Sequence, residues 1–338
     1  MVSAERASWV PDSVDMSRPN AARMYDFFLG GAHNFEADRQ AAQAVLAVAP
    51  EVQDAARANR QFLRRAVRYA LGRGIRQFLD LGSGIPTVGN VHKIAHAADP
   101  QTRVLYVDTD PVVVGHARAL LAATDTAAAI EADLRDVAGI LGHEQTRRLI
   151  DFDRSVAVLL VSVLHFVPGS AGDLAGVLWE LMRPAAPGSL LVISHASEVA
   201  ATEQTEAVRL LYGRTPTPLH LRSPAEIRAL FGGLDMVAPR PHTAAPADLV
   251  PVTEWRSDPG DQLPPDKAAS PFLTGFLAGA AHQPAPPSVD AASTTGAVSA
   301  GLRPRNNARF SDNSRARGVP GTPAVRRESR MAPTTGRS

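Results

Sequence analysis

An uninterrupted apolar run, Val156–Val163, is the feature that most restricts the fold of this chain. A strand without polar alternation must be covered on both faces, as the central strands of parallel sheets are. Four further short strands are predicted, each separated from the next by a helical pattern: Ile75–Leu81, Arg103–Asp108, Ala127–Ala132 and Ser189–Ser194. Strands that alternate with helices predict βαβ units and a mostly parallel sheet of the α/β class.

Further elements flank these five strands. Before them, Asn34–Val48 and Glu51–Leu71 have helical patterns. After them, Asp235–Pro239 and Leu249–Trp255 are predicted as two more strands that close the sheet as an antiparallel hairpin. The predicted organisation is therefore an N-terminal helical segment (1–50), a main domain (51–283) and a tail (284–338).

The tail differs from the rest of the chain in composition and charge. It holds nine arginines against three acidic residues, a net charge of +6, so that the other residues carry −5 of the total of +1. Pro, Ser, Thr and Gly replace any periodic apolar pattern, which predicts disorder. A basic arm on nucleic acid is the alternative, although most such tails are only solvated and we expect no nucleic-acid partner.

Several classes of protein are excluded by what the sequence lacks. There is no cysteine, which rules out disulfides, thiolate metal sites and thiol nucleophiles. No apolar stretch reaches the roughly 18 residues of a membrane span, and the N-terminus has no signal-peptide pattern. The cytoplasm is therefore the expected compartment. No spacing of acidic residues is typical of a metal site, and we expect no metal.

The turn after the first strand is where the sequence points to chemistry. Asp80 is followed by Gly82-Ser83-Gly84, and a helix is predicted to begin near Thr87. The glycines allow positive φ angles and let the backbone approach a ligand closely. The helix N-terminus offers free N–H groups and a partial positive charge, which suit an anionic group. Dinucleotides and S-adenosylmethionine are both bound at such turns.

Polar residues at three strand ends separate these two ligand classes. The dinucleotide fingerprint needs glycine where Thr87 stands. Asp80 would repel a pyrophosphate, whereas it suits the ammonium of a methionine group. Asp108 ends the second strand and can accept hydrogen bonds from both ribose hydroxyls in either class. Asp133-Leu134, at the end of the third strand, can read the adenine amino edge with an acid and a backbone N–H. Taken together, these strand-end residues favour S-adenosylmethionine over a dinucleotide.

Two other functions stay open at this point. An NAD-linked or nucleotide-sugar oxidoreductase shares the glycine turn and Asp108, but it does not account for Thr87 or for Asp133-Leu134. A non-catalytic protein that binds S-adenosylmethionine and reports its level, with the basic tail on nucleic acid, is compatible with the same residues.

Longer strings of sequence point to a family. YDFFLGG, NF and DR between Pro19 and Arg39, followed by FLDLGSGIPT, YVDTDP and VAVLLVSVLHFVPG, resemble a bacterial family of S-adenosyl methyltransferases long catalogued only as a domain of unknown function. The likeness spans about Pro11 to His282. It implies a class I, Rossmann-like fold, in which a seven-stranded, mostly parallel sheet has helices on both faces. An N-terminal helical segment then packs over the cofactor as a lid.

The resemblance also implies which residues contact the cofactor. At the glycine turn and the strand ends these are Asp80, Gly82, Ser83, Gly84, Asp108, Asp133 and Leu134. The N-terminal strings add five lid contacts, which are Arg23, Tyr25, Asn34, Asn59 and Arg60. Gly30-Gly31 is predicted to give the lid its freedom to close. Such proteins usually end in a tyrosine-containing strand, whereas this chain has FLAGAAHQP (276–284).

Methyl transfer from a sulfonium needs alignment of donor and acceptor, and a base only when the acceptor must lose a proton early. His165, after the fourth strand, is the best candidate base, and His195, after the fifth, is second. Ser162 is expected only to pack near the cofactor. The absence of cysteine excludes cytosine C5 chemistry, and LHFV (164–167) stands where amino-adenine methylases carry their N/D-P-P-Y/F motif. By elimination, we expect a small-molecule methyl acceptor.

Overall fold

A computed structural model describes residues 14–285, except 87–88, 201, 242–245 and 262. One sheet of eight strands runs through these residues. The strands are β1 (Gln77–Leu81), β2 (Arg103–Asp108), β3 (Ala127–Glu131), β4 (Ala157–Val161), β5 (Leu190–Ala196), β6 (Asp235–Met236), β7 (Val250–Pro251) and β8 (Phe276–His282). The predicted tail (284–338) lies outside the described residues except for residues 284–285.

Helices connect the strands and precede the first of them. They are α1 (Ala21–Phe28), α2 (Glu36–Val48), α3 (Val52–Gly72), α4 (Val91–Ala98), α5 (Pro111–Leu121), α6 (Val137–Gly142), α7 (Glu144–Leu149), α8 (Ala171–Met182), α9 (Glu203–Tyr212), α10 (Pro224–Ala229), α11 (Pro265–Ala268) and α12 (Pro271–Thr274). The predicted caps are present at α5, where Asp110 accepts from Val112 N–H, and at α8 and α10, which begin with capping boxes.

Seven of the strands follow one path, β3-β2-β1-β4-β5-β8-β6, and β7 pairs separately with β8. Strands β1 to β5 are parallel, and β8 runs antiparallel to β5 and to β6. The predicted α/β fold of class I is confirmed, with one short strand added to the seven.

The predicted closing hairpin is wrong. Asp235–Pro239 and Leu249–Trp255 contribute only two paired residues each, and both short strands pair with β8 rather than with each other. The long antiparallel strand is β8, in the segment that departs from the family pattern. Its small residues allow a close fit: a Cβ on Gly279 would lie within 3.2 Å of side-chain atoms of Leu249, Met236 and Phe231.

Both faces of the sheet are covered, as the apolar run in β4 predicts. Leu159 and Phe78 belong to one core, which α3, α4 and α5 cover together with Trp255. Leu160 and Leu79 belong to the other core, beneath α6, α7 and α8. Neighbouring residues of one strand thus point to opposite faces, and each is completely buried.

The N-terminal helices form a third core above the carboxyl ends of the strands. Met24 and Phe28 of α1 and Val45 of α2 pack with Val208 and Tyr212 of α9. Their burial explains the apolar spacing of both segments. Helix α1 is thereby held over the edge of the sheet where β1, β2 and β4 end.

Candidate functional site

The carboxyl ends of β1 to β4 open into one cavity of about 540 Å³. This is the edge at which open α/β sheets bind their ligands. The floor is formed by the turn after β1, by Asp108 and Asp133, and by the segment after β4. The roof consists of α1 and of residues 216–218. A hydrogen bond of 3.2 Å from Ala21 N–H to Thr217 Oγ1 joins these two parts of the roof. The volume lies within the roughly 300–1,000 Å³ typical of small-molecule sites.

The glycine turn has the backbone that the sequence predicts. Gly82 and Gly84 have φ angles of 66° and 63°, a region that disfavours a side chain. A Cβ on Gly82 would also lie 2.1 Å from Val163 Cγ2, so the turn and the segment after β4 fit together only without one. Ser83 and Gly84 line the cavity beside it.

The helix after this turn begins later than predicted. It starts at Val91 rather than near Thr87, which is itself outside the described residues. Just before the helix, Gly89 has a φ angle of 64°, and Asn90 donates its amide to Pro86 O at 2.8 Å. The first N–H groups of α4 therefore do not follow Gly84 directly.

Asp108, at the end of β2, is fixed by two backbone donors. Its Oδ2 accepts from Gly84 N–H at 2.9 Å and its Oδ1 from Asp110 N–H at 3.0 Å. Burial nevertheless raises the pKa of Asp108 to about 6. Each oxygen keeps a further lone pair, so the carboxylate can accept hydrogen bonds from a diol in the cavity.

Asp80 and Arg60 bring opposite charges to the same cavity. Burial raises the pKa of Asp80 to about 7, with the Arg60 guanidinium opposing that rise. Asp80 makes no hydrogen bond within the described chain, and Arg60 Nε is a buried donor with no partner there. An amino acid group offers what both lack, an ammonium for Asp80 and a carboxylate for Arg60. The residues therefore fit the methionine part of S-adenosylmethionine.

Tyr25 and Asn59 connect the roof of the cavity to α3 and to β5 of the sheet. The Tyr25 hydroxyl donates to Ala56 O at 3.0 Å and accepts from Asn59 Nδ2 at 3.0 Å. Asn59 Oδ1 in turn accepts from the Ser194 hydroxyl of β5 at 2.7 Å. The Arg60 guanidinium lies 5.4 Å from the centre of the Tyr25 ring, as in a cation–π contact. Three of the five predicted lid contacts thus lie at the cavity.

The other two do not line it. Arg23 is buried and donates to Asp38 Oδ2 at 2.9 Å, to Asp110 Oδ2 at 3.0 Å and to Arg18 O at 2.7 Å. Asn34 donates to Asp26 Oδ2 at 2.9 Å. Both residues hold the N-terminal segment in shape, and the geometry gives them no path to a ligand in the cavity.

Gly30-Gly31 does not have the geometry of the flexible hinge that the sequence predicts. Gly30 follows the end of α1 with a φ angle of 78°, as C-terminal glycines of helices do. A Cβ on Gly31 would lie 2.0 Å from Asp26 Oδ1. The pair therefore ends the helix and lets the chain fold closely around the Asp26 carboxylate, which also accepts from His33 N–H at 2.9 Å.

Asp133 and Leu134 lie at the far end of the cavity. Leu134 is buried, whereas the Asp133 side chain is 39% exposed and forms an ion pair with Arg135. That ion pair and its hydrogen bonds lower the pKa of Asp133, so the group is a carboxylate at neutral pH. Its predicted role, reading adenine, stays a prediction.

His165 is poorly placed to be a base. It is buried, and it lines a smaller neighbouring cavity rather than the large one. Its Nδ1 accepts from Ala196 N–H at 3.2 Å, which places the proton of the neutral ring on Nε2, 3.5 Å from Ser162 Oγ. Burial lowers the pKa of His165 well below its ordinary value. Neither nitrogen can take a proton from an acceptor, which argues against the predicted role.

Both ring nitrogens of His195 also make hydrogen bonds within the protein. Its Nδ1 donates to Ala196 O at 2.7 Å and its Nε2 accepts from Arg222 Nη1 at 2.9 Å. Burial lowers the pKa of His195 to about 4. The ring therefore stays neutral and serves as a fixed acceptor for the guanidinium.

Arg222 and the backbone of Ser162 shape the segment after β4, and the sequence pattern reveals neither. The buried Arg222 also donates to the carbonyl groups of Leu164, Val167 and Gly169 at 2.9–3.1 Å. Ser162 has a φ angle of 63°, rare for a residue with a side chain, and it faces the cavity. Strain of this kind is commonly kept at functional sites.

Two general features of the described residues bear on function. Within them, no helix is both long and apolar enough to cross a membrane. The same part of the chain has no cluster of three or more His, Cys, Asp or Glu residues arranged to hold a metal ion.

Known proteins are similar to this chain in sequence and structure. A family model described as S-adenosyl methyltransferase matches residues 7–284. The solved structure of a presumed methyltransferase from Thermobifida fusca is 36% identical, with a TM-score of 0.74 over 82% of this chain and 100% of that one. A DUF574 family protein from Streptomyces avermitilis is 34% identical, with a TM-score of 0.72 over 80% and 99% of the two chains. None of the curated proteins matches.

Proposed function

The chain belongs to the S-adenosyl methyltransferase family, and we propose from this premise that it methylates a small molecule by in-line transfer without a side-chain base. Membership establishes S-adenosylmethionine as the cofactor and excludes the oxidoreductase alternative. We further propose that the protein acts in the cytoplasm and that the residues of the large cavity bind the cofactor and the acceptor.

One observation carries the proposal. Asp80, Asp108 and Arg60 line a single roofed cavity and bring two carboxylates and one guanidinium to it. Arg60 would hold the methionine carboxylate, Asp80 the ammonium, Asp108 the ribose hydroxyls, and Asp133 with the Leu134 N–H the adenine edge. When bound, S-adenosylmethionine supplies an electrophilic methyl group.

The rest of the cavity would orient the acceptor and exclude water. Ser162 and Phe166, which follow β4, and residues 216–218 of the roof also line the cavity. The roof formed by α1 and residues 216–218 covers part of the cavity, which supports a small acceptor. His165 and His195 use both ring nitrogens in structural hydrogen bonds, so acceleration would come from alignment and from an acceptor that is nucleophilic without deprotonation.

The test follows a labelled methyl group. Purified protein is incubated with methyl-labelled S-adenosylmethionine and a bacterial extract, which is then separated into small molecules, protein and nucleic acid. The proposal expects label in the small-molecule fraction, and a loss of that label with Asp108→Ala. Label in protein or nucleic acid would overturn the small acceptor. Tight cofactor binding without transfer to any fraction would favour the sensor alternative.

A further inference from the structure

A second, smaller cavity of about 110 Å³ lies beside the first. Tyr25, Ser162 and Phe166 line both of them, so these three residues form the wall between the two spaces. Residues from α1, α3, α9 and β8 enclose the rest of the smaller cavity. It lies on the side of the segment after β4, where the acceptor is proposed to sit.

The walls of this smaller cavity are apolar and aromatic. Its apolar lining includes Phe28, Ala55, Val208 and Phe276. Most polar groups along it are already used: the Tyr25 hydroxyl donates to Ala56 O, and the Ser197 hydroxyl donates to Gly275 O at 2.7 Å. None of the described residues that line it carries a carboxylate. The cavity is therefore suited to a neutral group rather than a cation.

Tyr212 differs from these groups, whereas His165, which also lines the cavity, has its Nε2 3.5 Å from Ser162 Oγ. Tyr212 is only 6% exposed, and its hydroxyl makes no hydrogen bond within the described chain. Its ring packs against Phe166, with 5.5 Å between the ring centres. Burial raises the pKa of Tyr212, so the group is a phenol, able to donate as well as accept. Buried hydroxyls are usually paired, and this one lines a cavity in which a ligand atom could pair with it.

The volume limits what can enter. An apolar cavity of about 150 Å³ in another protein stays dry and binds benzene. A cavity of about 110 Å³ therefore holds at most one small ring or a short branched alkyl group.

We propose that this cavity, the Tyr212 pocket, receives a neutral apolar or aromatic group of the methyl acceptor that carries one polar atom for the Tyr212 hydroxyl. The proposal rests on the proposed function, because it assigns the pocket to the acceptor of that reaction. The acceptor's nucleophilic atom then stays beside Tyr25 and Phe166, facing the cofactor.

Phenol and toluene, which differ in one hydroxyl, are the probes, and their binding is measured by ligand-observed NMR with the protein saturated in S-adenosylhomocysteine. Both should bind. Tyr212→Phe should weaken phenol about 3–10-fold, as the loss of one hydrogen bond does, and leave toluene within about twofold. Val208→Phe should abolish the binding of both probes by filling the pocket. Leu210→Phe, on the exposed side of α9, is the matched control and should change nothing.

Cofactor affinity shows whether each variant is folded, because Val208 and Tyr212 do not line the large cavity. Three results would overturn the Tyr212 pocket: neither probe binds, Val208→Phe binds both as the unaltered protein does, or Tyr212→Phe affects both probes equally. Displacement of the probes by S-adenosylhomocysteine would assign the space to the cofactor instead. None of these readouts needs turnover, so a failure here is distinct from a failure of methyl transfer.

Discussion

Arg23 of α1 and Asp110, which caps α5, form a buried ion pair with 3.0 Å between Nη1 and Oδ2. Asp110 lies two residues after Asp108, the proposed ribose acceptor. The same guanidinium also pairs with Asp38 of α2. The N-terminal segment is therefore bound to the element that carries a cofactor residue.

Arg23→Gln should lower the free energy of unfolding by about 3–5 kcal/mol, since it leaves Asp38 and Asp110 buried without their cation. Urea denaturation measures the difference. Arg39→Gln is the control, because Arg39 pairs with Glu36 on the surface and should contribute no more than about 1 kcal/mol. Equal effects of the two substitutions would contradict the structural role of Arg23.

The lid role of residues 18–39 remains a prediction, and the observed contacts limit the movement that we expect. Because Arg23 and Asn34 anchor the segment, we expect ordering on cofactor binding rather than a large swing. Hydrogen exchange should slow in residues 18–39 when S-adenosylhomocysteine is added. Slower exchange only around Asp80 and Asp108 would show that α1 is a fixed roof.

Asp108→Ala should weaken the binding of S-adenosylhomocysteine by about 10–100-fold, because one or two hydrogen bonds to a charged group are lost. Calorimetric titration measures the affinity. Asp133→Ala should cost less, since the Asp133 side chain is partly exposed and paired with Arg135. Unchanged affinity in Asp108→Ala would contradict its assignment to ribose.

Cofactor affinity should depend on pH through Asp80. Its pKa is about 7 in the protein without ligand, and only the carboxylate can pair with an ammonium. At pH 6 most Asp80 is protonated, so affinity for S-adenosylhomocysteine should fall about tenfold between pH 8 and pH 6. Asp80→Asn should bind weakly and nearly equally at both values. A pH-independent affinity in the unaltered protein would remove Asp80 from the ammonium site.

His165 and His195 should both stay neutral from pH 6 to pH 8, as opposite tautomers. The pKa of each ring is lowered by burial, and the hydrogen bonds place the proton on Nε2 of His165 and on Nδ1 of His195. Long-range ¹H–¹⁵N correlation spectra distinguish the two nitrogens of each ring. A doubly protonated His165 at pH 6 would reopen its role in proton transfer.

The elements that local pattern determines were predictable from the sequence. Strands β1 to β5 are apolar runs, and Asp80 and Asp108 lie at the ends of two of them, so their meeting at one edge follows from parallel pairing. Interactions between distant residues were not predictable. Arg222 fixes carbonyl groups more than 50 residues earlier, and Arg65 of α3 is buried against Asp261, 196 residues away. No local periodicity marks such partners.

The position of β8 shows the same limit. Its alanines and glycine have little strand propensity, and only the space between β5 and β6 makes them a strand. The hydrogen bonds of His165 were not predictable for a related reason, because a sequence places a histidine near a site without showing which backbone groups occupy its nitrogens.

The place of β8 in the sheet also has a consequence for how the protein is made. It pairs along its full length with β5, yet about 80 residues of chain are translated between the two strands. Until β8 emerges from the ribosome, β5 has an open edge, and such edges invite pairing with other chains. Long-range pairing of this kind also slows folding. The edge of β5 is therefore covered only once β8 has been made, and α12, which directly precedes β8, packs on α3.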